Sequence, residues 1–600
     1  MAERPRRHGC IGRIVTAAVA NDSFAVVGLG LRVPGATDID SFWDTIVEGR
    51  PVTRSIDASE LCGYDLELVG PGGLTAALLD DGGDFDAAFF DLNPRLAAWM
   101  DPQQGLLLET AWHALEDASI PPSSIRGGRT GVFVASATMD FRDSLVRAGV
   151  LDKYAMHADG TFLSNRLSYQ LDARGPSLNI NTACSGGLSA LSVACGYLAA
   201  GLIDTAIVGA VNLCTDGWIS SALAALGALS PSGTARPFSP DASGYVRGEG
   251  AITVVVRRLA DARRLGDPMR AVVRSVSVSH DGRQGGPVRT DMHSQEALLQ
   301  EAYGASGIAA CAVGYIEAHA PGTRLDVNEL EALSRFVCST ALASRSTDTA
   351  PGDALLVGSL KNVFGHLEGA AGSISLAKAM LVVQHGVIPA GSGLVSIAPT
   401  GERTIRPSRA GELIPWPQGR PRIAGVSSFG IGGSNAHVVI EGAPTSGATQ
   451  RAVPRSQLNL PLSARTPSGL RHVAEDALAG LSGVTDTEAF ALIWSYQTGR
   501  DRHSCRAVVH GASTPELISD LRRLIAGPEH PAADSDWENP SLSARLWLAG
   551  EETDWAQDWS VTPSYRASLP PSPFDRAPHA QRPQRQGGPG AGMAQRGTDA

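Results

Sequence analysis

The sequence predicts a layered α/β protein, because apolar runs of strand length alternate with helical patterns along most of the chain. The runs are continuous in Val, Ile and Ala, as at Ala251-Ile-Thr-Val-Val-Val, which is typical of strands buried on both faces. Small residues are frequent where a strand gives way to a helix, as tightly packed layers require. Further strand-like runs are Phe24-Ala-Val-Val-Gly, Gly131-Val-Phe-Val, Thr205-Ala-Ile-Val-Gly and His437-Val-Val-Ile.

A repeated arrangement of residues indicates that the layered region consists of two similar halves. Cys184 comes directly before a helical run of small residues at 185–200, and His366 comes directly before a second such run at 367–381. Two halves that pack about a pseudo-twofold axis would bring these two helix starts face to face. Helices rich in Ala and Gly are common, so this repeat by itself is a weak signal.

Changes in composition divide the chain into successive units. Pro444-Thr-Ser-Gly reads as a linker, and beyond it two helical patterns near 469–481 and 515–525 flank a short strand at 506–510. Ser568-Leu-Pro-Pro-Ser-Pro is stiffened by proline and predicts an extended strap. The predicted units are a flexible N-terminal arm at 1–22, two halves at 23–270 and 271–443, a small α/β linker subdomain at 444–540, a strap at 541–577 and a disordered tail at 578–600.

The overall composition is that of a globular enzyme with more than one core. Six hundred residues exceed what one core usually serves, and 43% hydrophobic residues with 18% charged residues exclude a disordered chain. With 50 basic and 61 acidic residues the net charge is -11, which argues against nucleic acid as a general partner.

Cysteine usage and hydropathy indicate a reducing compartment. The eight cysteines form no Cys-x-x-Cys pair, so the chain predicts neither a disulfide framework nor a metal site. The first apolar stretch, at 11–20, is short and contains Arg13, which makes it a poor secretory signal. No run approaches the roughly 20 apolar residues that cross a bilayer. We therefore expect a cytoplasmic protein that does not enter membranes.

Cys184 is the first candidate catalytic residue, in Asn181-Thr-Ala-Cys-Ser-Gly-Gly-Leu at a joint between a strand and a helix. A thiol at a helix N-terminus has its thiolate form favoured by the helix dipole and by free backbone N–H groups. The small residues Ser185, Gly186 and Gly187 would let a substrate carbonyl approach the sulfur. A buried structural cysteine explains the local pattern equally well.

Two histidine segments and a glycine-rich turn favour the catalytic interpretation. His319 stands in Tyr315-Ile-Glu-Ala-His-Ala-Pro-Gly-Thr, and His366 stands in Lys361-Asn-Val-Phe-Gly-His-Leu-Glu. Both histidines end strand-like runs and enter loops, where catalytic side chains are often held on a rigid scaffold. The turn that follows Phe429 offers backbone amides to an oxyanion. His437, which enters a strand, is interpreted as structural.

With these segments in order, the chain resembles the β-ketoacyl synthases of modular type I polyketide synthases, which have a duplicated thiolase fold of αβαβα layers. Further matching segments include Phe85-Asp-Ala-Ala-Phe-Phe, Met100-Asp-Pro-Gln-Gln and Gly244-Tyr-Val-Arg-Gly-Glu-Gly. The resemblance covers about 24–441, and 547–576 is similar to the strap that wraps back over such synthases. No serine elbow of an acyltransferase and no phosphopantetheine attachment segment is present, so we expect a discrete protein.

The resemblance implies roles for individual residues. Cys184 would carry the acyl chain, with backbone N–H groups at Cys184 and Phe429 around the oxyanion, and His319 and His366 would stabilise an enolate. Lys361 and Glu368 would tune and orient the region of His366. The resemblance further implies Asp326 and Glu329 as supports of the His319 loop, and Pro321, Thr323, Gly432, Gly433 and Ser434 as contacts of the substrate and its phosphopantetheine arm.

The implied reaction is decarboxylative Claisen condensation. The enzyme would load an acyl group onto Cys184 and join it to a malonyl-type thioester. The resemblance implies no bound cofactor, substrates delivered on the phosphopantetheine of an acyl carrier protein in trans, and a homodimer.

Several residues depart from the family pattern. In the His319 loop, Ala320 and Pro321 replace Gly and Thr, and the loop is one residue shorter before Asp326. Pro321 lacks both a hydroxyl group and an N–H in the region where the carboxylate of the extender would lie. Elsewhere Val363 replaces an asparagine and Gly105 replaces an arginine, and Asp291-Met-His stands where a small, Asn-Pro-rich stretch is usual.

These departures leave two alternatives open. The first is a non-elongating enzyme that loads a tethered acyl chain on Cys184 and closes a ring within it by an aldol-type reaction, as in γ-lactam–β-lactone formation. The second is a non-catalytic partner or scaffold protein, a role that ketosynthase-like proteins without the cysteine fulfil. The presence of Cys184 argues against the second alternative.

Overall fold

The computed structural model describes residues 23–56, 74–149, 152–283, 290–343, 355–389, 405–407, 412–444, 452–527 and 540–579. The predicted arm at 1–22 and residues 580–600 of the predicted tail lie outside these ranges. Among the helices of the described ranges, none is long and apolar enough to span a membrane.

Within the described residues, eleven strands form one continuous hydrogen-bonded sheet. The order across the sheet is β9-β8-β7-β10-β11-β6-β1-β5-β4-β2-β3. The strands are β1 (Phe24–Arg32), β2 (Thr130–Ala135), β3 (Ser177–Ile180), β4 (Thr205–Asn212), β5 (Gly250–Arg258), β6 (Ala271–His280), β7 (Tyr315–Glu317), β8 (Leu355–Gly358), β9 (Ile405–Pro407), β10 (Ile423–Phe429) and β11 (Ser434–Gly442).

The sheet repeats one pattern on either side of its centre, where β1 pairs with β6 antiparallel. In the first half β3, β2 and β4 are parallel, while β5 is antiparallel to both β4 and β1. In the second half β9, β8, β7 and β10 are parallel, while β11 is antiparallel to both β10 and β6. Counted from the centre, β3 and β8 occupy equivalent places, and these strands precede Cys184 and His366. The repeat seen in the sequence is therefore a structural duplication.

Helices form three layers around the two halves of the sheet. The cysteine helix (Gly186–Ala199) and the histidine helix (Ala371–His385) pack on each other and share one apolar core with strands of both halves. Helix Pro102–Asp117 covers the outer face of the first half, and helices Met292–Ser306 and Asp326–Ala343 cover that of the second half. The order of layers is αβαβα, so the predicted duplicated thiolase fold is confirmed.

Shorter elements complete the two halves. A three-stranded sheet is formed by Arg54–Ser55, Thr75–Ala77 and Arg247–Gly248, and a two-stranded one by Val387–Ile388 and Ile414–Pro415. The remaining helices in this region are Ile39–Glu48, Pro94–Ala97, Asp140–Arg147, Phe162–Leu171, Gly217–Ala225, Leu259–Leu265 and Lys361–Phe364, with 3-10 turns at Pro122–Ile125, Ala155–Ala158, Ala310–Ala312 and Glu368–Ala370.

The linker region folds as a small α/β unit whose apolar core also includes Trp559 and Leu569 of the strap. Strand Leu458–Ala464 pairs antiparallel with Cys505–Gly511, and helices Pro467–Leu481 and Thr514–Ala526 lie at the two predicted helical patterns. The helix Asp486–Thr498 was not predicted, because its apolar residues are spread around the helix rather than along one stripe.

The strap is extended only in its second part. Residues 541–561 fold into helix Leu542–Ala549, the 3-10 turn Trp555–Asp558 and strand Trp559–Val561, which pairs with Val453–Pro454. Beyond this strand the chain lies along helix Pro102–Asp117, where Glu116 accepts hydrogen bonds from the backbone N–H (2.8 Å) and hydroxyl (2.5 Å) of Ser572. Ordinary helix and strand formers fill 542–561, so the prolines at 570–573 set where the extended segment lies.

Candidate active site

Cys184, His319 and His366 converge on one cavity, although they are up to 182 positions apart in the chain. Cys184 follows β3, His319 follows β7, and His366 follows β8 and the short helix Lys361–Phe364. The thiol sulfur and one ring nitrogen of each histidine lie within 4.8 Å of one another. They lie against a cavity of about 970 Å³ that opens between the two halves.

The turn that carries Cys184 is strained and firmly held. Ala183 adopts a left-handed conformation with φ of 51°, which is unfavourable for a residue with a Cβ atom. Its N–H donates to Oδ1 of Asn181 at 3.0 Å. The hydroxyl group of Ser428, on β10 of the other half, donates to the carbonyl oxygen of Cys184 at 2.7 Å. These contacts turn the cysteine out of the strand–helix joint toward the cavity.

Burial decides the protonation state of Cys184. Burial raises the pKa of the thiol to about 12, and the nearby Glu368 carboxylate acts in the same direction. The ammonium of Lys361 and the backbone N–H groups of Ile431 and Cys184 oppose this rise in pKa. At neutral pH the resting residue is therefore a thiol. The helix N-terminus, which favours the thiolate, does not outweigh burial.

The amide that reaches the thiol belongs to Ile431, which the sequence pattern did not single out. Ile431 follows Gly430 in a turn closed by a 2.9 Å hydrogen bond from the N–H of Gly433 to the carbonyl oxygen of Gly430. Phe429, the predicted donor, ends strand β10 two residues earlier and places its ring 5.6 Å from that of His319. The alternating glycines of this turn were the signal, but the sequence does not reveal which amide faces the cavity.

The carboxylate of Glu329 shapes the backbone at His319. Its two oxygens accept the N–H groups of His319 at 2.9 Å and Ala320 at 2.8 Å. Glu329 lies one turn into helix Asp326–Ala343, so helix and loop are locked together. Burial raises the pKa of Glu329 to about 7, although the two hydrogen bonds act to lower this pKa.

Asp326 holds the next part of the same loop. It accepts the N–H groups of Gly322 at 3.0 Å and Thr323 at 3.1 Å, and that of Phe238 at 3.1 Å. Burial raises its pKa to about 6. Pro321 stands between the residues held by Glu329 and those held by Asp326 and has no N–H to be held. Glu329 and Asp326 thus hold successive parts of the His319 loop.

Lys361 is buried within the site. Its ammonium donates to the carbonyl oxygen of His319 and is 2% exposed, which excludes a surface ion pair. Burial lowers the pKa of Lys361, while the carboxylates of Glu317 and Glu329 act to raise it. Lys361 therefore ties the short helix before His366 to the loop of the other histidine.

The backbone around His366 is held from both sides. Gly365 has φ of 68°, and a Cβ there would lie 2.9 Å from the carbonyl oxygens of Val246 and Arg247, so glycine is required. The N–H of His366 donates to the carbonyl oxygen of Val246 at 2.7 Å, and its own carbonyl accepts the N–H of Gly248 at 2.9 Å. His366 is thus stitched to the short strand Arg247–Gly248.

A second backbone contact selects the tautomer of His366. The N–H of Glu368 donates to Nδ1 of His366 at 3.0 Å. Since Nδ1 accepts this hydrogen bond, the neutral ring carries its own proton on Nε2. Burial, with Lys361 and Arg247 adding to it, lowers the pKa of His366 well below its usual value, so the ring is neutral at pH 7.

His319 is also neutral. Burial lowers its pKa well below the usual value, with further contributions from Lys361 and His366. The two imidazole rings lie 5.4 Å apart, edge to face. Among the described residues, Nδ1 of His319 has no hydrogen-bond partner. No backbone N–H of the described residues therefore selects the tautomer of His319, in contrast to His366.

Glu368 is buried, and its side chain does not point at His366 but at Arg247. The two groups form a bidentate pair, with Nε–Oε1 at 2.6 Å and Nη2–Oε2 at 2.9 Å. Arg247 is 1% exposed and also donates to the hydroxyl of Ser220 at 2.7 Å. The sequence pattern did not single out Arg247, although its segment Gly244-Tyr-Val-Arg-Gly-Glu-Gly matches the family.

The cavity wall is apolar opposite the histidines. Pro321 and Thr323, both predicted to contact substrate, line the cavity. Gly432, Gly433 and Ser434 lie further along the turn, beyond the last lining residue on that segment, Ile431. Apolar lining comes mainly from helix Gly217–Ala225 and the chain after it, at Ile219, Leu223, Leu226, Ala228 and Pro231.

Of the positions that depart from the family pattern, Pro321 faces the cavity. Val363 is buried in the central core, with its carbonyl accepting from the N–H of Val52. Gly105 packs beneath Phe85, where a Cβ would lie 2.4 Å from the ring. Asp291 caps helix Met292–Ser306 through a 2.8 Å bond from the N–H of Ser294. These last three changes concern packing and capping.

The two glycines after Ser185 allow close packing inside the molecule. A Cβ on Gly187 would lie 2.2 Å from the hydroxyl oxygen of Ser373 on the histidine helix. A Cβ on Gly186 would lie 3.2 Å from that of Ala135 on β2. The lack of bulk at Gly187 lets the cysteine and histidine helices approach, and that at Gly186 lets the cysteine helix approach β2. The ring of His437 is buried, with Nδ1 2.9 Å from the hydroxyl of Ser427.

Comparison with known proteins gives one consistent family. The β-ketoacyl synthase N-terminal domain matches residues 21–262, and the β-ketoacyl synthase C-terminal domain matches residues 270–394. The ketoacyl-synthetase C-terminal extension matches residues 406–509.

Two curated relatives are themselves polyketide enzymes. The chain is 41% identical over 563 residues to a phenolphthiocerol/phthiocerol polyketide synthase of Mycobacterium tuberculosis, covering 90% of this chain and 25% of that protein. It is 38% identical over 488 residues to the 5-methyl-1-naphthoate synthase of Streptomyces sahachiroi, covering 79% and 27% respectively. The chain spans about a quarter of the length of these relatives.

Solved structures agree with the family. The ketosynthase from module 6 of the bacillaene synthase of Bacillus subtilis 168 is similar with a TM-score of 0.79 and 28% identity, over 93% of this chain and 99% of that chain. An oxazolomycin ketosynthase domain from Streptomyces albus has a TM-score of 0.79 and 29% identity over the same shares. The chain therefore belongs to the β-ketoacyl synthase family, as a polyketide ketosynthase with the thiolase fold and a condensing enzyme of the acyltransferase type.

Proposed function

We propose that this ketosynthase loads an acyl group from a carrier protein onto Cys184 and extends it by decarboxylative Claisen condensation with a malonyl-type carrier thioester. The observation that carries the proposal is the convergence of Cys184, His319 and His366 within 4.8 Å on one cavity. A nucleophile and two neutral hydrogen-bond donors are what the two half-reactions need.

Loading is a thioester exchange. The sulfur of Cys184 attacks the acyl carbonyl, the bond from that carbon to the carrier sulfur breaks, and the thiol proton ends on the departing carrier thiolate. His319 relays this proton, since its ring is neutral and one of its nitrogens lies within 4.8 Å of the thiol sulfur. The amides of Cys184 and Ile431 stabilise the tetrahedral oxyanion, where one donor is typically worth about 2.7–4 kcal/mol.

Condensation uses both imidazoles. Loss of CO2 from the malonyl thioester leaves an enolate, whose oxygen accepts hydrogen bonds from His319 and from Nε2–H of His366. The enolate carbon attacks the carbonyl held on Cys184, the carbon–sulfur bond breaks, and the released thiolate takes up a proton from solvent. Neutral donors suit this step because they stabilise the enolate oxygen without protonating the carbon.

We further propose delivery of both substrates by an acyl carrier protein in trans, action in the cytoplasm as a homodimer, and no bound cofactor. A homodimer is supported by β3, which ends the described sheet and exposes 37% of Leu178. An edge strand of this kind can pair with the same strand of a second copy.

A second candidate function is intramolecular aldol-type ring closure of the loaded chain, followed by release. Pro321 favours it, since this residue lines the cavity and offers neither a hydroxyl nor an N–H to an extender carboxylate. Loading on Cys184 is common to both candidates. A non-catalytic scaffold would need no reactive thiol.

Intact-protein mass measurement tests the proposal. Protein is incubated with an acyl carrier thioester, with and without malonyl carrier, and the adduct mass and CO2 release are followed. We expect an acyl adduct that Cys184→Ala abolishes and Cys311→Ser retains. Malonyl-dependent CO2 release that His319→Ala abolishes supports condensation, whereas a released product of unchanged mass without extender supports ring closure. Absence of any adduct contradicts both and favours a scaffold.

A further inference from the structure

The segment Tyr245–Glu249 borders the site, yet the proposed reaction assigns it no role. Tyr245 places its ring 4.9 Å from that of His366. Val246 and Gly248 hold the backbone of His366 through hydrogen bonds of 2.7 and 2.9 Å. Arg247, between them, is not among the described residues that line the cavity, and its side chain binds Glu368 and Ser220 instead.

We infer that Arg247 is a positioning residue that fixes the tautomer of His366 through Glu368, an inference that rests on the proposed function. The guanidinium grips both carboxylate oxygens of Glu368 at 2.6 and 2.9 Å. The same glutamate donates its backbone N–H to Nδ1 of His366 at 3.0 Å. Side chain and backbone of one residue thus connect a buried cation to an imidazole.

The conformation of Glu368 explains why this grip matters. Its φ is 45°, a left-handed conformation that is unfavourable for a residue with a Cβ atom. The φ angle relates the direction of the side chain to that of the residue's own N–H, so a restraint on the carboxylate also restrains the N–H that donates to His366. A bidentate pair restrains both position and rotation of the carboxylate, so it opposes relaxation of the strained backbone. Ser220, on helix Gly217–Ala225, orients the guanidinium from the other side at 2.7 Å.

The charges around His366 give the pair a second effect. Arg247 and Lys361 both lower the pKa of His366, and Glu368, the partner of Arg247, is itself a lining residue of the cavity. Without Arg247 the carboxylate would be buried and unpaired, and both changes would favour a protonated ring. The titratable and charged groups that surround His366 are Cys184, Tyr245, Arg247, His319, Lys361 and Glu368.

The expected consequence is specific to one half-reaction. Condensation needs the proton of His366 on Nε2, whereas loading depends on Cys184 and His319. Arg247→Gln is expected to leave acyl loading within about threefold of wild type and to lower kcat for condensation by about 10- to 100-fold, the range for a misplaced group behind a reacting one. The KM for malonyl carrier is expected to stay within about threefold.

Nitrogen-15 NMR of protein labelled at histidine supplies a readout that a merely structural role would not move. In wild type, His366 is expected to show separate signals for a protonated Nε2 and an unprotonated Nδ1, assigned by their loss in His366→Gln. In Arg247→Gln the two signals should approach each other as both tautomers become populated, and the pKa of the ring should rise. In Glu368→Gln, where Arg247 loses its counter-charge, the pKa should fall.

Conservative and matched variants keep the test decisive. Arg247→Lys retains the positive charge but cannot form the bidentate pair with Glu368. Its condensation rate should therefore lie between those of wild type and Arg247→Gln. Arg257→Gln breaks a 2.7 Å ion pair with buried Asp267 elsewhere in the molecule, and should change neither rate nor signals. Should Arg247→Gln fail to fold, Glu368→Gln and Arg247→Lys carry the same comparison.

Three results would overturn the inference. The first is a condensation rate in the Arg247 and Glu368 variants equal to that of wild type. The second is a slower condensation with unchanged nitrogen-15 signals of His366. The third is a loading rate that falls as much as the condensation rate. The proposed function fails separately, when wild type itself forms no adduct on Cys184, and the NMR comparison then still tests the link from Arg247 to His366.

Discussion

Ser428 donates a 2.7 Å hydrogen bond to the carbonyl oxygen of Cys184, and these two residues belong to opposite halves of the molecule. The turn that carries Cys184 belongs to the first half and is therefore held by strand β10 of the second half. His319 and His366 come from the second half as well, so the site exists only when the halves are packed. Both the stability of that packing and the chemistry at Cys184 can be tested.

Packing between the central helices should be sensitive to Gly187. A methyl group there would lie 2.2 Å from Oγ and 3.1 Å from the backbone N of Ser373. Overpacking costs about 1–3 kcal/mol, more than the ~1 kcal/mol by which Ala favours a helix over Gly. We expect Gly187→Ala to lower the free energy of unfolding in urea. Gly432→Ala, with nothing within 4 Å of the added carbon, should be neutral, and equal stability of the two variants would contradict the prediction.

The amide of Ile431 should matter more than its side chain. Ile431 is the second residue of the turn closed by Gly430 and Gly433, a position that proline readily adopts. Ile431→Pro therefore removes the N–H with little change to the turn, and should slow acyl loading by about 10²–10³-fold. Ile431→Ala keeps the N–H and should load within about threefold of wild type. Similar rates in the two variants would place the oxyanion elsewhere.

Alkylation by iodoacetamide should report the raised pKa of Cys184. Because burial raises this pKa to about 12, the thiolate fraction grows tenfold with each pH unit across the neutral and mildly alkaline range. We expect the rate of alkylation to rise steadily from pH 7 to pH 9, followed by intact mass with Cys184→Ala as the blank. A plateau below pH 8 would mean that the helix N-terminus outweighs burial.

The acid side of the loading reaction should reflect His319. Burial lowers the pKa of this ring well below the usual value of about 6.5. A group with a lowered pKa stays neutral while the pH falls through 6.5, so the relay of the thiol proton survives there. We expect the loading rate to be flat from pH 7.5 to about pH 6 and to fall only below that. An inflection near pH 6.5 would indicate an exposed imidazole.

Pro321 should distinguish elongation from ring closure. Pro321→Thr restores a hydroxyl and an N–H on the cavity wall, and Pro321→Ala restores only the N–H. One added hydrogen bond to an extender carboxylate, at about 0.5–1.5 kcal/mol, would raise malonyl-dependent CO2 release by about 2- to 10-fold in the threonine variant. Slower or unchanged CO2 release in both variants would argue that no extender carboxylate lies there.

Much of the fold and of the candidate site could be predicted because short segments of the sequence indicate it. Continuous apolar runs predict buried strands, and the residues at 181–188, 315–323 and 361–368 identify the thiol and both histidines. Ile431 and Arg247 could not be found in this way. Whether an amide faces a cavity depends on the dihedral angles of the turn, and the partner of Arg247 is 121 positions away.

The sequence alone determined the layered α/β class and the candidates Cys184, His319 and His366, and it indicated the duplication, because apolar periodicity and residue type can be read without coordinates. The tertiary structure decided the protonation states of these three side chains. Burial, which belongs to the packed molecule, makes Cys184 a thiol and both imidazoles neutral. The tertiary structure also decided that Pro321 faces the cavity while Val363 lies in the core. These properties depend on the contacts between the two halves, and no local pattern in the chain encodes such contacts.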